Sequence, residues 1–227
     1  MAKDTTGRLH VQVKTGGKRK LSSKLWLERQ LNDPYVAKAK AAGYRSRAAF
    51  KLLEIDDKFR LLKHGMAVVD LGAAPGGWSQ IAAKRVGSTE GKGKGVAIDL
   101  LEMPEIPGVD FAQLDFMDNH APDKLTAMLG GGADIVMSDI AANTTGHRKT
   151  DQLRIVGLIE TAAAFACDVL KPGGTFLAKT FQSGADADLL AQLKRDFATV
   201  RHVKPAASRQ DSSERYVLAT GFRGGAA

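Results

Sequence analysis

The chain has few metal-binding or disulfide-forming residues and no long apolar run. Cys167 is its single cysteine, which excludes an intramolecular disulfide and a cysteine-rich metal site. His147 has no His or Cys partner at the spacing of metal ligands, so we expect no metal. No stretch reaches the roughly 18 apolar residues of a membrane span, and the first residues are polar where a signal peptide would be apolar. We therefore expect a soluble, cytoplasmic protein without a membrane partner.

Acidic residues are scarce in the N-terminal quarter. Residues 1–60 hold 15 Lys and Arg against 6 Asp and Glu, whereas the other 167 residues hold 18 against 19. A basic segment joined to a nearly neutral domain is typical of nucleic-acid binders, and a solubilising tail is the alternative. We expect a disordered basic arm over 1–22, one domain over 23–222 whose helices at 23–60 contribute to RNA binding, and a short tail at 223–227.

A strand, a glycine-rich turn and the start of a helix follow one another in AVVDLGAAPGGWSQ, residues 67–80. The apolar run from Ala67 to Leu71 is typical of a buried parallel strand, and a ligand turn follows the carboxyl end of such a strand. Ala74 occupies the position of the middle glycine in a dinucleotide motif, and Pro75 lacks an N–H that could face a pyrophosphate. The turn therefore favours a nucleoside ligand that has no pyrophosphate.

Acids end the next two predicted strands and support the same interpretation. Asp99 follows Gly95–Ile98, and Asp115 follows 110–114. Acids at the carboxyl ends of neighbouring parallel strands can bind ribose hydroxyls and an adenine amino group. S-adenosylmethionine (SAM) fits these features, while a nicotinamide cofactor and a tight turn without ligand remain alternatives. For Asp115 alone, capping of its own loop is an equally good explanation.

Strands and helices alternate along the remainder of the chain. Five further strands are predicted at 95–98, 110–114, 135–137, 175–180 and 201–204, and a last one at 216–220 pairs antiparallel with its predecessor. The pattern predicts an α/β fold: a doubly wound, mostly parallel seven-stranded sheet with an antiparallel last strand, preceded by N-terminal helices. This is the Rossmann-like architecture of SAM-dependent methyltransferases.

Four further side chains are candidates for the site. Asp139 ends the strand expected beside the first one, across the switch point of the sheet, next to the reactive end of the ligand. Lys179 interrupts an apolar strand, where a buried lysine is costly unless it has a task. Trp78 can pack on the adenosine or fill the strand-to-helix junction. For Lys51, helical spacing alone favours a solvated lysine.

Five segments together resemble one family closely: AVVDLGAAPGGWSQ, YRSRAAFKL, SDIAAN, FLAKTFQ and SSERYVLATG. They are similar to the FtsJ/RrmJ (RlmE) family of bacterial ribosomal RNA ribose 2′-O-methyltransferases over about 23–221. The resemblance implies a monomer that uses SAM to methylate a ribose, a uridine of 23S rRNA within the large ribosomal subunit. Alternatives are another RNA such as tRNA, or a non-catalytic RNA-binding factor in ribosome assembly. An enzyme that methylates a base would need a cysteine nucleophile or a motif that holds the base. SDIAAN followed by Lys179 matches neither requirement.

The resemblance also implies roles for individual residues. The catalytic tetrad of the family falls on Lys51, Asp139, Lys179 and Glu214, and its SAM contacts fall on Gly76, Trp78, Asp99, Asp115 and Asp139. In this scheme Lys179 acts on the ribose hydroxyl, either as a base or as a charge that stabilises the alkoxide, while the two acids position the lysines. Ala142 departs from the family, which usually has proline there.

Overall fold

The computed structural model of the chain describes residues 11–13, 21–141, 148–181 and 187–224. Helices and strands alternate through most of this length, as the sequence predicts. The helices are α1 Leu21–Leu31, α2 Pro34–Ala41, α3 Ala48–Phe59, α4 Gly77–Val86, α5 Ala121–Leu129, α6 Arg148–Val169 and α7 Ala187–Asp196. The strands are β1 Ala67–Leu71, β2 Lys94–Asp99, β3 Val109–Gln113, β4 Ala133–Ser138, β5 Leu170–Phe181, β6 Phe197–Val203 and β7 Glu214–Phe222.

The strands form one seven-stranded sheet in the order β3-β2-β1-β4-β5-β7-β6. Neighbours from β3 to β5 pair in parallel, and β7 pairs antiparallel with both β5 and β6. The predicted mostly parallel sheet with an antiparallel last strand is therefore confirmed. Because β1 lies between β2 and β4, the chain order reverses beside β1, which is where ligands bind in doubly wound sheets.

Both faces of the sheet are covered by helices, so its central strands are apolar on both sides. Val69 and Leu71 belong to a core cluster shared with α5, α6 and α7, whereas Val68 belongs to a second cluster shared with α3 and α4. Neighbouring strand residues point to opposite faces, which explains this division. Burial of each large apolar side chain contributes about 1.5–3 kcal/mol, so the sheet is a rigid base for the loops at its carboxyl edge.

Two strands begin four or more residues earlier than predicted because pairing and packing override local sequence signals. Strand β5 begins at Leu170, not at 175, because Leu170 pairs with Ala133, with a register shift before the next pair. Strand β6 begins at Phe197, not at Arg201, because Phe197 pairs with Phe222 and is buried. Both changes lengthen the sheet away from the predicted site and leave its carboxyl edge as expected.

The N-terminal helices are fixed by a cap that the sequence indicates. Asp33 accepts a hydrogen bond from the Tyr35 backbone N–H, and Pro34 occupies the first turn of α2. The predicted disordered arm falls mostly outside the described residues. Of the part that is described, Val11 N–H donates to Asn32 Oδ1 at 2.8 Å and Val13 N–H to Glu28 Oε1 at 3.2 Å, which places this short piece against α1.

None of the helices in the described ranges combines the length and apolarity that crossing a membrane requires.

Candidate active site

The glycine-rich turn after β1 is bound to the end of β2. The backbone N–H groups of Gly72 and Ala73 donate to Ile98 O at 2.9 and 3.0 Å. Ala74 N–H donates to Asp99 Oδ2 at 2.9 Å, and Leu101 N–H donates to the other carboxylate oxygen at 2.8 Å. Asp99 thus fixes the turn while remaining half-buried at the crevice between β1 and β2.

Two glycines in this turn have backbone conformations that explain why no larger residue is found there. Gly72 has φ +75°, and a Cβ at this position would lie 2.3 Å from Ile140 Cγ1, so its absence lets the loop after β4 approach the turn. Gly76 has φ +104° and caps α4. The first backbone N–H groups of α4 have no partner within the helix and point out of its N-terminus, which makes this a suitable place for an anionic group.

Two of the predicted cofactor residues, Asp115 and Trp78, differ in burial and in their contacts. Asp115 follows β3, is exposed, and accepts a hydrogen bond from Met117 N–H at 2.8 Å, so it also caps its own loop. The Trp78 side chain is only 3% exposed: its Nε1 donates to Ala48 O at 2.9 Å and its ring packs on Tyr216 with centroids 5.5 Å apart. Of the two roles expected for the indole, it fills the junction, and the Trp78 backbone is the part that lies at the start of α4.

The four residues of the expected tetrad lie together. Lys51 Nζ is 2.9 Å from both carboxylate oxygens of Glu214 and 3.7 Å from Asp139 Oδ2. Lys179 Nζ is 3.2 Å from Asp139 Oδ1 and donates to the Asp139 backbone carbonyl at 2.6 Å. Their side chains are between 7% and 16% exposed, so two ammonium groups and two carboxylates alternate in a largely buried cluster.

Four separate elements bring these side chains into contact, and Glu214 is the first residue of β7. Asp139 follows β4, and Lys179 lies in the adjacent strand β5, where it pairs with Tyr216 of β7. Lys51 extends from α3. The interpretation of Lys51 as a solvated lysine is wrong: it is buried, because α3 packs against α4 on one side and contacts the link before β7 through Glu54, whose Oε2 accepts from Ala207 N–H at 2.8 Å.

The charges around Asp139 favour its ionised form. Burial would raise the pKa of its carboxyl group, but Lys179 and Lys51 together with a hydrogen bond from Tyr216 outweigh burial and lower the pKa below its ordinary value. Tyr216 OH donates to Asp139 Oδ1 at 2.7 Å. Burial and the nearby charges of Asp139 and Glu214 raise the pKa of Tyr216 well above its ordinary value, so it remains a hydrogen-bond donor at neutral pH.

Two residues that support the tetrad were missed at the sequence level. Tyr216 is fully buried against Trp78 and bonds Asp139, and Ser208 Oγ donates to Glu214 Oε1 at 2.8 Å. The alternation of a strand offered a signal for Tyr216, because residues two apart, such as Glu214 and Tyr216, share a face. Ser208 lies in an irregular link, and no periodicity indicates its position.

Asp70 is a third residue that sequence reasoning left without a role. It ends the apolar part of β1, is 2% exposed, and its Oδ2 accepts a hydrogen bond from Ser79 Oγ at 2.6 Å. Within the described part of the chain, its Oδ1 is buried without a hydrogen-bond partner. Burial, reinforced by the negative charges of Asp139 and Asp99, raises the pKa of Asp70 to about 7. The buried carboxyl group therefore holds its proton to a higher pH than an exposed aspartate does.

The site combines a glycine-rich turn at the carboxyl edge of the sheet with a buried set of charges. Across the described ranges, no three His, Cys, Asp or Glu side chains come together as metal ligands. Two lysines held by fixed carboxylates can orient a hydroxyl group and stabilise negative charge on its oxygen without reorganisation. Ala142 and His147 lie outside the described residues.

Comparisons with known proteins agree with this architecture. The family model for FtsJ-like methyltransferases matches residues 44–222. "Ribosomal RNA large subunit methyltransferase E" of Bradyrhizobium diazoefficiens is 96% identical, with 100% of this chain and 99% of that protein covered. The protein of the same name from Nitrobacter winogradskyi is 81% identical over 99% of this chain and 98% of its own. The crystal structure of a Plasmodium falciparum protein, described as a ribosomal RNA methyltransferase, is 32% identical, has a TM-score of 0.69, and aligns with 80% of this chain and 100% of its own.

Proposed function

Because the chain belongs to the FtsJ-like methyltransferase family, we propose that it transfers a methyl group from SAM to a ribose 2′-hydroxyl of large-subunit ribosomal RNA. The observation that carries the proposal is the buried cluster of Lys51, Asp139, Lys179 and Glu214 beside the crevice at β1. A ribose hydroxyl is a weak nucleophile, so its methylation requires a site that orients the hydroxyl and stabilises the oxygen as its proton leaves.

The residues around the crevice fit SAM. Asp99 and Asp115 follow adjacent parallel strands and can accept hydrogen bonds from the ribose hydroxyls and the adenine amino group. Gly76 and the backbone of Trp78, at the start of α4, can approach the carboxylate of the methionine tail. When bound, SAM supplies an electrophilic methyl group on a sulfonium. Asp139 belongs both to the tetrad and to the predicted SAM contacts. The reactive methyl group of SAM would therefore lie next to the tetrad.

Each tetrad residue then has a distinct task. Lys179 acts on the substrate hydroxyl. Its Nζ is held by the carboxylate and by the backbone carbonyl of Asp139. Glu214 holds Lys51 through both carboxylate oxygens, and Lys51 in turn supports Asp139 from the side opposite Lys179. Tyr216 fixes Asp139 Oδ1 by a hydrogen bond. This network excludes water from most of the cluster and holds Lys179 in one orientation for the reaction.

The experiment that tests the proposal is a methylation assay with labelled SAM on protein-free ribosomal RNA, the large subunit and the small subunit. We expect label in large-subunit RNA only, and mapping of the product should place it on a ribose. Label on a base or in tRNA would contradict the substrate assignment. SAM and RNA binding without any transfer would instead identify a non-catalytic factor in ribosome assembly.

A further inference from the structure

A second concave site lies outside the cofactor crevice. The start of α2, the end of α1 and the link between β6 and β7 enclose an open cavity of about 640 Å³, within the usual range for ligand pockets. None of its lining residues belongs to the turn after β1 or to the ends of β2 and β3. We propose that this cavity, which we name the α1–α2 cavity, binds the base of a nucleotide that flanks the target ribose in the substrate RNA.

The chemistry of the lining favours a base over a phosphate. The cavity is lined by equal numbers of basic and acidic side chains: Arg29, Arg47, Arg209, Glu28, Asp33 and Asp211. A phosphate would be repelled by the acids as much as it is attracted by the arginines. A nucleobase presents both donors and acceptors on its edges and a flat face, and proteins bind unpaired bases with mixed hydrogen-bonding groups and with guanidinium planes.

Two of the guanidinium groups are held in fixed positions. The Asp33 carboxylate is largely buried: it lies 3.0 Å from Arg47 Nε and accepts a hydrogen bond from Arg209 Nη2 at 3.1 Å. Arg47 also donates to the Ala207 carbonyl. A guanidinium that is already oriented loses little conformational entropy when a flat ligand stacks on it, so the cavity is organised before the ligand arrives.

The α1–α2 cavity shares a wall with the tetrad. Ser208 lines the cavity and donates to Glu214 Oε1 at 2.8 Å, and Glu214 holds Lys51. Ser208 therefore joins the wall of the cavity to the tetrad residue Glu214. This proximity identifies the occupant as a near neighbour of the target nucleotide, and the inference rests on the proposed function to that extent.

The test uses the full chain and a set of short RNAs that contain the target. In each RNA one flanking nucleotide is made abasic, and the dissociation constant is measured by fluorescence anisotropy without SAM turnover. One variant, Ala206→Phe, fills the cavity from an exposed lining position, and a second, Arg29→Glu, reverses an exposed charge at its rim. The matched controls are Ala127→Phe on α5 and Arg195→Glu on α7, which are exposed and do not line the cavity.

We expect one abasic position to weaken binding to the parent about tenfold, as loss of one stacked base typically does. Ala206→Phe should weaken binding to intact RNA by a similar factor and show no further loss with that abasic RNA, whereas Ala127→Phe should behave as the parent. Arg29→Glu should weaken the binding of intact RNA more than Arg195→Glu does.

Two results would overturn the inference. In the first, Ala206→Phe lowers the affinity by the same factor for every abasic RNA as for intact RNA. The two changes then act independently, which means that no flanking base occupies the cavity. The second is that Ala206→Phe binds all protein-free RNAs like the parent but loses affinity for the large subunit, which identifies a protein-docking surface. Failure of the proposed function is distinguishable, because it would appear as absence of methyl transfer by the parent whatever the binding results.

Discussion

Lys179 is the side chain that separates two possible mechanisms. It lies between the carboxylate and the backbone carbonyl of Asp139, beside the proposed methyl donor. We predict that Lys179→Ala retains SAM and RNA binding but loses about 10²–10⁴-fold in single-turnover rate if the lysine takes part in proton transfer. An arginine stays protonated, so Lys179→Arg should be as inactive as the alanine variant if Lys179 is a base, and partly active if it stabilises charge.

A matched control for this measurement is Lys171→Ala, which removes a lysine from the same strand. Lys171 is half-exposed and pairs with Asp134 at the opposite end of β5 from the site, so its loss should leave the single-turnover rate unchanged. If both Lys179 variants react at the parent rate, Lys179 has only a structural role and the tetrad assignment fails at this member.

Asp70 should make the stability of the protein depend on pH. Its pKa in the folded state, about 7, lies above the value of 3.8 for an unperturbed carboxyl group, so the folded protein holds this proton more tightly than the unfolded chain. The stability that comes from protonated Asp70 is therefore present below pH 4 and is lost as the pH rises through 7. Asp70→Asn keeps an acceptor for Ser79 and removes the buried charge.

We predict that Asp70→Asn gains less stability over the parent at pH 5 than at pH 8, because at pH 5 Asp70 is still protonated in the folded protein. At pH 8 the variant should be more stable, with an upper bound on the order of 4 kcal/mol for a shift of this size. Urea denaturation of both proteins at the two pH values measures the difference. An equal difference at pH 5 and pH 8 would contradict the proton linkage.

Helix α2 and the β6–β7 link are joined by one carboxylate. Asp33 caps α2 and contacts Arg47 and Arg209, so a single substitution removes a cap and leaves two cations without their partner. We predict that Asp33→Ala lowers the unfolding free energy by about 2–4 kcal/mol, measured by urea denaturation. The same change should lower the affinity for RNA more than the affinity for SAM, because the cofactor crevice lies elsewhere.

The exposed pair of Asp57 and Arg85 provides the comparison for Asp33. Asp57 is a carboxylate on the neighbouring helix α3, and its ion pair is open to solvent. We expect Asp57→Ala to change the unfolding free energy by less than about 1 kcal/mol. Equal effects of the two substitutions would show that Asp33 contributes no more than a surface ion pair.

The order of helices and strands was predictable because the apolar periodicity changes at each boundary. Val68, Val69 and Leu71 place apolar side chains on both faces of β1, which is the pattern of a central parallel strand, and glycines follow at its carboxyl end. Since carboxyl ends of parallel strands meet at one edge, the placement of Asp99, Asp115 and Asp139 after β2, β3 and β4 at that edge followed from the order of elements alone.

The contacts that arise between distant elements were not predictable from local patterns. Lys51 looked like a solvated residue on its helix, and its burial depends on the link before β7, more than 150 residues later. Arg45 donates to the carbonyls of Pro104 and Glu105, which lie beyond β2. These roles come from tertiary packing, which a sequence window of one helix does not contain.

The chain as a whole has an uneven charge distribution. Most of its excess positive charge is in the first 60 residues, and the sequence contains a cluster of cations at Lys14, Lys18, Arg19 and Lys20. The described piece Val11–Val13, just before this cluster, lies against Glu28 of α1 and against Asn32, which follows α1. Both residues also line the α1–α2 cavity. The arm is therefore attached next to the surface on which we propose that RNA binds.

We predict that the arm adds affinity for RNA without adding specificity. Changing Lys14, Lys18, Arg19 and Lys20 to Gln removes four charges but keeps the contacts of Val11 and Val13. Each phosphate contact that is lost should reduce the slope of log affinity against log salt by about 0.7–0.9, because fewer counterions are released on binding. Binding should weaken equally for ribosomal and unrelated RNA, measured by anisotropy over a salt series.

The control is a variant that loses the same number of charges from the surface outside the arm. Lys84, Lys92, Lys124 and Lys194 are exposed and lie outside the N-terminal quarter, and their joint replacement by Gln gives the same net charge as the arm variant. If the arm contacts phosphates, its variant must have a flatter salt dependence than this control. Identical slopes would mean that the basic residues act only through net charge, because a general electrostatic effect depends on how many charges are removed and much less on where they lie.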